Sequence, residues 1–336
     1  MTKLKTFKLY QKNGYLNMPA IIGRPEPFIF VPAARGTGKT YGALQYFYKK
    51  KKKIIQLRRT QNEADLQNTE DGTSYKAVFN DLGVDFEIKK FNKIGQVLVD
   101  GVPICINMAL STFANLRGMD YSDIDYIVYD EFIAEPHVRK IKAEGMALAS
   151  LYESVNRNRE LQGRPPVKLI CLANSVNIAN DVFMYFDLIT AAEEMLTNGE
   201  EMRVLGNKLL IIPQHSPISD KKADTALYKA VNQEYKDMAI HNKFVLNDFQ
   251  YVKKRNLQEY RCIMQLGDLF IFEHKSNGTF YVTFKKGETK KKYGSGYADL
   301  AKARRAEWNL AVHYLDGLVY FESYRCIALL EKYFDI

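Results

Sequence analysis

The stretch "FIFVPAARGTGKTYGALQYF" (28–47) opens with four apolar residues, passes through small ones, and sets two glycines around Thr37 before Lys39-Thr40 and a helical pattern. A strand that feeds a glycine-rich turn opening a helix aims backbone N–H groups and the positive end of a helix at one spot. That arrangement suits a phosphate chain. The P-loop pattern is G-x-x-x-x-G-K-[ST], and "AARGTGKT" (33–40) departs from it at Ala33. Alanine there requires a loop that turns without positive φ at its first position. The remainder suffices for the chemistry. The backbone of Ala34, Arg35, Gly36, Thr37 and Gly38 closes around the phosphates, Lys39 reaches the β- and γ-phosphates, and Thr40 places a hydroxyl on Mg²⁺. A glycine-rich strand–helix turn with an exposed lysine is the competing reading.

Three further stretches bear on that choice. In "DIDYIVYDEF" (123–132) an apolar strand ends in Asp130-Glu131, so both carboxylates emerge at the C-terminal edge of the sheet, where open α/β sheets bind ligands. Asp130 would hold Mg²⁺ through water and Glu131 would orient or polarise the attacking water. Paired with the loop, this predicts ATP hydrolysis. In "KLICLANSV" (168–176) another apolar strand ends at Asn174 and Ser175. A polar side chain beside Asp-Glu can touch both the water and the terminal phosphate, and Asn174 is the expected one; an Asn/Ser turn is the alternative. In "ESVNRNRELQGR" (153–164), Arg157 and Arg159 end a helical pattern. They serve either to neutralise transition-state charge, in cis or from a neighbouring subunit, or to complement a helix dipole.

Bulk properties agree with a soluble enzyme. The 336 residues are 46% hydrophobic and 26% charged, an ordinary globular composition. A net charge of +9 favours a polyanionic partner such as nucleic acid. The four cysteines form no C-x-x-C pair and the five histidines no H-x-x-x-H pair, which predicts buried, reduced thiols and no protein-only metal site. The N-terminus has no apolar core of a signal peptide, and nowhere do eighteen apolar residues run together, so a cytosolic chain with no membrane partner is expected.

The order of elements predicts an α/β fold. Apolar runs at 28–31, 54–57, 104–108, 126–130 and 168–174 read as strands of a parallel sheet buried on both faces. Helical patterns lie at about 38–50, 61–67, 74–81 and 141–157. The expected domains are an ATPase domain over 1–213, a polar, mostly helical linker or lid over 214–245, and a smaller α+β domain over 246–336. In the last, three strands around 259–266, 268–275 and 278–286 form an antiparallel meander, followed by helices near 297–313 and 319–333. Its 15 Lys/Arg against 11 Asp/Glu allow nucleic-acid contact, or only a solvated lysine-rich surface.

Together, "AARGTGKT", "IVYDEF", "NRNRE" and "ICLANSV" resemble, in this order and spacing, the DNA-packaging ATPases of phi29-like tailed phages, relatives of the large terminases. The resemblance covers most of 25–215 and implies a P-loop fold of the ASCE class. Arg35 matches the arginine of a terminase-type R-x-x-G-K-[ST] loop, which often lacks the first glycine. Arg157 matches a trans-acting arginine finger, and Arg58-Arg59 match a pair near the nucleotide. The resemblance further implies a homopentameric ring that drives double-stranded DNA through the portal of an empty procapsid, with a packaging RNA in some members. It implies a protein of the infected host's cytoplasm, transiently on the procapsid and not in the mature virion. The C-terminal domain resembles an RNase H-like nuclease without its active site: Asp268 and Glu273 make no dense acidic cluster, and no nuclease activity is expected. Two other readings stand beside this one, another P-loop motor such as a helicase or a filamentous-phage assembly ATPase, and a nucleotide-ordered binding module without turnover.

Overall fold

The structure is a computed structural model and describes residues 7–116, 118–134, 140–174, 177–231, 236 and 251–336. The chain forms two compact units, Met1–Val176 with Glu194–Phe244, and Asn177–Glu193 with Val245–Ile336. It therefore passes between them three times, after Val176, Glu193 and Phe244. Boundaries drawn only at 213 and 245 do not contain the excursion over Asn177–Glu193.

The first unit is built on a nine-stranded sheet. Its strands are β1 (Phe28–Pro32), β2 (Ile54–Arg58), β3 (Glu87–Phe91), β4 (Ile94–Val99), β5 (Val102–Ala109), β6 (Tyr126–Asp130), β7 (Lys168–Ala173), β8 (Met202–Leu205) and β9 (Lys208–Ile211). Their spatial order is β3-β4-β5-β2-β6-β7-β1-β9-β8. The middle, β5 to β9 in that order, is parallel, as the apolar runs predict. The sheet as a whole is mixed, because the hairpins β3-β4-β5 and β8-β9 add antiparallel edges. At one edge of the sheet β3, with the sequence "EIKKF", presents exposed charged side chains that discourage further pairing.

The strand under the phosphate loop is covered on both faces. Ile29 and Val31 of β1 belong to the same core as Ala43, Leu44 and Phe47, while Phe30 turns the other way and meets Phe132 edge-on, ring centroids 6.3 Å apart. The helices of this part are α1 (Met18–Ile22), α2 (Lys39–Lys49), α3 (Gln61–Gln67), α4 (Tyr75–Leu82) and α5 (Glu144–Asn156). Thr60 starts α3 through a capping box with Glu63, and Gly83 in the left-handed region stops α4. Helix α6 (Asp181–Tyr185) lies in the second unit, α7 (Ile189–Asn198) straddles the boundary, and α8 (Pro217–Ala223) and α9 (Ala226–Ala230) follow β9 in the first unit. Residues 232–245 of the expected linker, apart from 236, lie outside the described residues.

The second unit carries a five-stranded sheet, β10 (Tyr260–Leu266), β11 (Leu269–His274), β12 (Phe280–Thr283), β13 (Lys292–Tyr293) and β14 (Val319–Phe321), in the order β13-β10-β11-β12-β14. The meander β10-β11-β12 is antiparallel as expected, and β13 and β14 add parallel edges. Two helical expectations need correction. The helix near 297–313 is two, Tyr297–Ala306 and Trp308–Leu315, broken where Glu307 takes φ −119° and ψ 29°. The segment near 319–333 begins as β14, since Val-Tyr-Phe suits a pleated strand, and only Tyr324–Phe334 is helical. All four cysteines are free, and Cys105, Cys171 and Cys326 are buried. Among the described residues no helix is long and apolar enough to cross a membrane.

Candidate nucleotide site

Strand β1 ends and α2 begins at the C-terminal edge of the sheet, with the loop between them. Ala33 still belongs to the sheet: its N–H donates to the Ala173 carbonyl at 3.0 Å, extending the β1–β7 ladder. Its departure from glycine is thus compatible with the turn, because the loop takes positive φ only afterwards, at Gly36 (69°) and Gly38 (83°). Both are conformations in which glycine is strongly favoured. The loop is braced from inside by Thr37, whose hydroxyl donates to the Ala34 carbonyl at 3.0 Å, and from outside by the Leu16 N–H on the Thr37 carbonyl at 3.0 Å.

Lys39 is folded under this loop. Its Nζ donates to the carbonyls of Ala33 (2.7 Å) and Ala34 (2.9 Å) and to Asn174 Oδ1 (3.4 Å). Burial draws its pKa down to about 7; Asp130 and Glu131 oppose that shift, and the like charges of Lys222 and Arg35 reinforce it. The ammonium is held by dipoles in a place built for an anion. Asn174 reaches the loop because β7 lies between β1 and β6, so the end of β7 stands between the phosphate loop and the acidic pair. Ser175 lies outside the described residues.

The acidic pair meets the loop at Thr40. Its Oγ1 donates to the Asp130 carboxylate, 3.0 Å from each oxygen, and Asp130 is buried. Glu131 follows in the left-handed region at φ 59°, where a non-glycine residue is strained, and its side chain is half-exposed. Arg58 at the end of β2 spans both acids, with Nη2 3.2 Å from Asp130 Oδ2 and Nη1 2.9 Å from Glu131 Oε2. Its neighbour does not join it. Successive strand residues face opposite ways, and Arg59 is bound by two hydrogen bonds to the buried Glu144, at 2.8 and 3.0 Å, which also accepts from Tyr129. Of the two arginines expected together, only Arg58 reaches the acidic pair; Arg59 is turned to Glu144.

These residues fit a nucleoside triphosphate with Mg²⁺. Gly36 and Gly38 give the loop its positive φ, among the described residues no carboxylate bonds the desolvated lysine directly, and the Thr40 hydroxyl and Asp130 carboxylate converge on one point. Arg35 lies on the exposed side of the loop. Arg157 is not part of this constellation in its own chain. Helix α5 crosses from the edge bearing Asp130 toward the start of β7, and Arg159, two residues on, bonds Asp125 at 2.9 Å, just before β6. Five strand residues separate those edges, roughly 16 Å. Arg159 is buried and fixed by Asp125, whereas Arg157 is exposed and donates to the carbonyls of Met119 (3.0 Å) and Ser154 (3.3 Å). It also sits at φ 45° as the residue ending α5.

Comparison with known proteins bears on what passes through such a site. The family model described as "Podovirus DNA encapsidation protein (Gp16)" matches residues 10–305. The chain belongs to this DNA encapsidation family. Among curated proteins, the family chain is 28% identical over 253 residues to the DNA packaging protein of Bacillus phage PZA, covering 73% of this chain and 70% of the relative. It is 29% identical over 234 residues to that of Bacillus phage B103, covering 68% and 67%. Among solved structures it resembles the bacteriophage Phi-29 viral genome packaging motor assembly, with a TM-score of 0.64 and 20% identity over 95% of this chain and 99% of that one. The Phi-28 gp11 DNA packaging motor matches with a TM-score of 0.63 and 15% identity over 96% and 99%. The encapsidation fold thus extends through both units, including the C-terminal sheet.

Proposed function

We propose that this chain is the ATP-driven translocase that moves double-stranded DNA in viral genome packaging, hydrolysing ATP at the loop of Gly36–Lys39. DNA packaging follows from the encapsidation family. The observation that carries the ATPase reading is the direct bond between Thr40 and Asp130, which joins the phosphate loop to the acidic strand end at a single point. Thr40 and Asp130 would hold Mg²⁺ there, and the ion would supply positive charge against the phosphates. Lys39 would leave the carbonyls of Ala33 and Ala34 for the β- and γ-phosphates. Glu131 would orient the attacking water once it lets go of Arg58, and Asn174, within reach of Lys39, would register the terminal phosphate. Arg157 would serve the site of a neighbouring copy, since its own lies across the sheet; Arg35 is the candidate in cis.

The assembly proposed is a homopentameric ring at the procapsid portal, in the cytoplasm of the infected host; a packaging RNA is a partner in some members of the family it resembles. We assign no nuclease role to the second unit. Glu273 is engaged by Arg261 across β10 and β11 at 2.6 Å, leaving it poorly disposed to hold a metal.

An ATPase assay with and without double-stranded DNA tests the reading. Wild type is expected to hydrolyse ATP faster with DNA. Lys39→Ala is expected to lose nucleotide binding, and Glu131→Gln to keep Mg·ATP while turning over at least 100-fold more slowly, in line with the usual weight of acid–base assistance. Undiminished turnover in either variant would remove that residue from the mechanism.

A further inference from the structure

Helix α8, the first element after the large sheet, carries a second lysine to the phosphate loop. Its beginning is tethered to the N-terminal segment: Tyr10 donates to the His215 carbonyl, and the Cα of Gly14 lies so close that a Cβ there would stand 3.1 Å from Ile218 N and 3.3 Å from Pro217 Cβ. Ser219, one helical turn before Lys222, is buried. So held, α8 places Lys222 Nζ 2.9 Å from the Arg35 carbonyl. The ammonium occupies the space a side chain on Gly36 would need, 1.8 Å from the position of its Cβ. Among the described residues Lys222 has no carboxylate partner, and burial holds its pKa below the ordinary lysine value. Lys39, Arg35 and Lys222 thus crowd one loop with like charge, and Lys39 registers the repulsion of the other two.

We infer that Lys222 is a nucleotide-binding residue, contacting the polyphosphate of a bound nucleoside triphosphate from the side of the loop opposite Lys39. The inference rests on the proposed ATPase reading and deepens it. A half-buried ammonium that gives one hydrogen bond to a carbonyl has two N–H donors left. A polyphosphate in the loop supplies acceptors for them and offsets the repulsion that Lys222 and Arg35 exert on Lys39. A triphosphate, carrying more charge than a diphosphate, gains more from this, so Lys222 favours substrate over product. Because the lysine belongs to α8, the nucleotide that recruits it also fixes the position of α8, and whatever displaces α8 weakens binding by the same factor.

The test is equilibrium binding of fluorescent ATP and ADP analogues with Mg²⁺ to wild type, Lys39→Ala, Lys222→Met and Lys222→Arg, with the melting temperature of each ligand-free protein. Wild type is expected to bind both nucleotides and Lys39→Ala neither. Lys222→Met is expected to lose about ten-fold or more in ATP affinity, the scale of a charged hydrogen bond, and less in ADP affinity. Its melting temperature should be unchanged or raised, and Lys222→Arg should recover most of the ATP affinity. An ATP affinity in Lys222→Met within two-fold of wild type overturns the inference while leaving the ATPase reading intact. Equal losses for ATP and ADP, unrecovered by arginine and accompanied by a lower melting temperature, assign Lys222 to fastening α8 and overturn it as well. Wild type that binds neither nucleotide overturns both readings.

Discussion

Lys39 lies under the loop with its ammonium on backbone carbonyls, and burial takes its pKa down to about 7. Because the folded value is below the unfolded one, the unfolded chain binds the extra proton between pH 7 and the usual lysine range. The cost of this residue to folding is therefore full below pH 7 and fades as pH rises. A bound polyphosphate reverses the local preference and raises the pKa again, so nucleotide binding at pH 8 should take up close to one proton. Titration calorimetry in two buffers of different ionisation enthalpy measures this directly: the observed heats should differ at pH 8 and the uptake should dwindle toward pH 6. Identical heats at pH 8 would mean that Lys39 is already charged in the free protein. Lys39, Thr40, Asp130 and Glu131 are legible in the sequence because each sits at a fixed offset from a strand end. Arg58 and Lys222 are harder to read. Only the alternation of side chains along β2 separates Arg58 from Arg59, and Lys222 is brought to Arg35 by a contact spanning 187 positions. A lysine pair in a polar stretch gives no sign of such a contact.

Strand β1 shows which elements a sequence discloses. Phe30 is fully buried against Phe132, and Phe30→Ala should lower stability by about 3–5 kcal/mol through lost burial and the cavity left behind. A urea titration would show this as a lower midpoint with an unchanged slope; an unaltered midpoint would mean that the face opposite α2 contributes nothing to the core. Strands β1, β2, β5, β6 and β7 are readable because each is a largely apolar run, in keeping with its burial. The edge strands are not. In β3 the charged "EIKKF" is exposed, in β4 a glycine interrupts the run, and β8-β9 is a short hairpin around Gly206. Such segments owe their pairing to neighbours already in place, which local pattern does not record. The same holds for strand order: β7 between β1 and β6 is a long-range choice, and it brings Asn174 within reach of Lys39.

For the whole molecule, the position of Arg157 across the sheet from its own phosphate loop makes a mixing experiment decisive. An Arg157→Ala chain keeps its loop, and a Lys39→Ala chain keeps its arginine. If sites are shared between copies, a mixture should partly restore ATP hydrolysis, with a rate that rises with protein concentration because association is required. Double-stranded DNA should stimulate it, and salt should erode the stimulation as counterion release is suppressed. Folded, co-assembled variants that regain nothing in any ratio would exclude Arg157 and point to Arg35. The net charge of +9 in the sequence is consistent with the DNA dependence without locating it. The three passages of the chain between its units have a topological consequence. A single backbone cut at any one crossing leaves the two units joined through the other two, so limited proteolysis at one of them should not set either unit free.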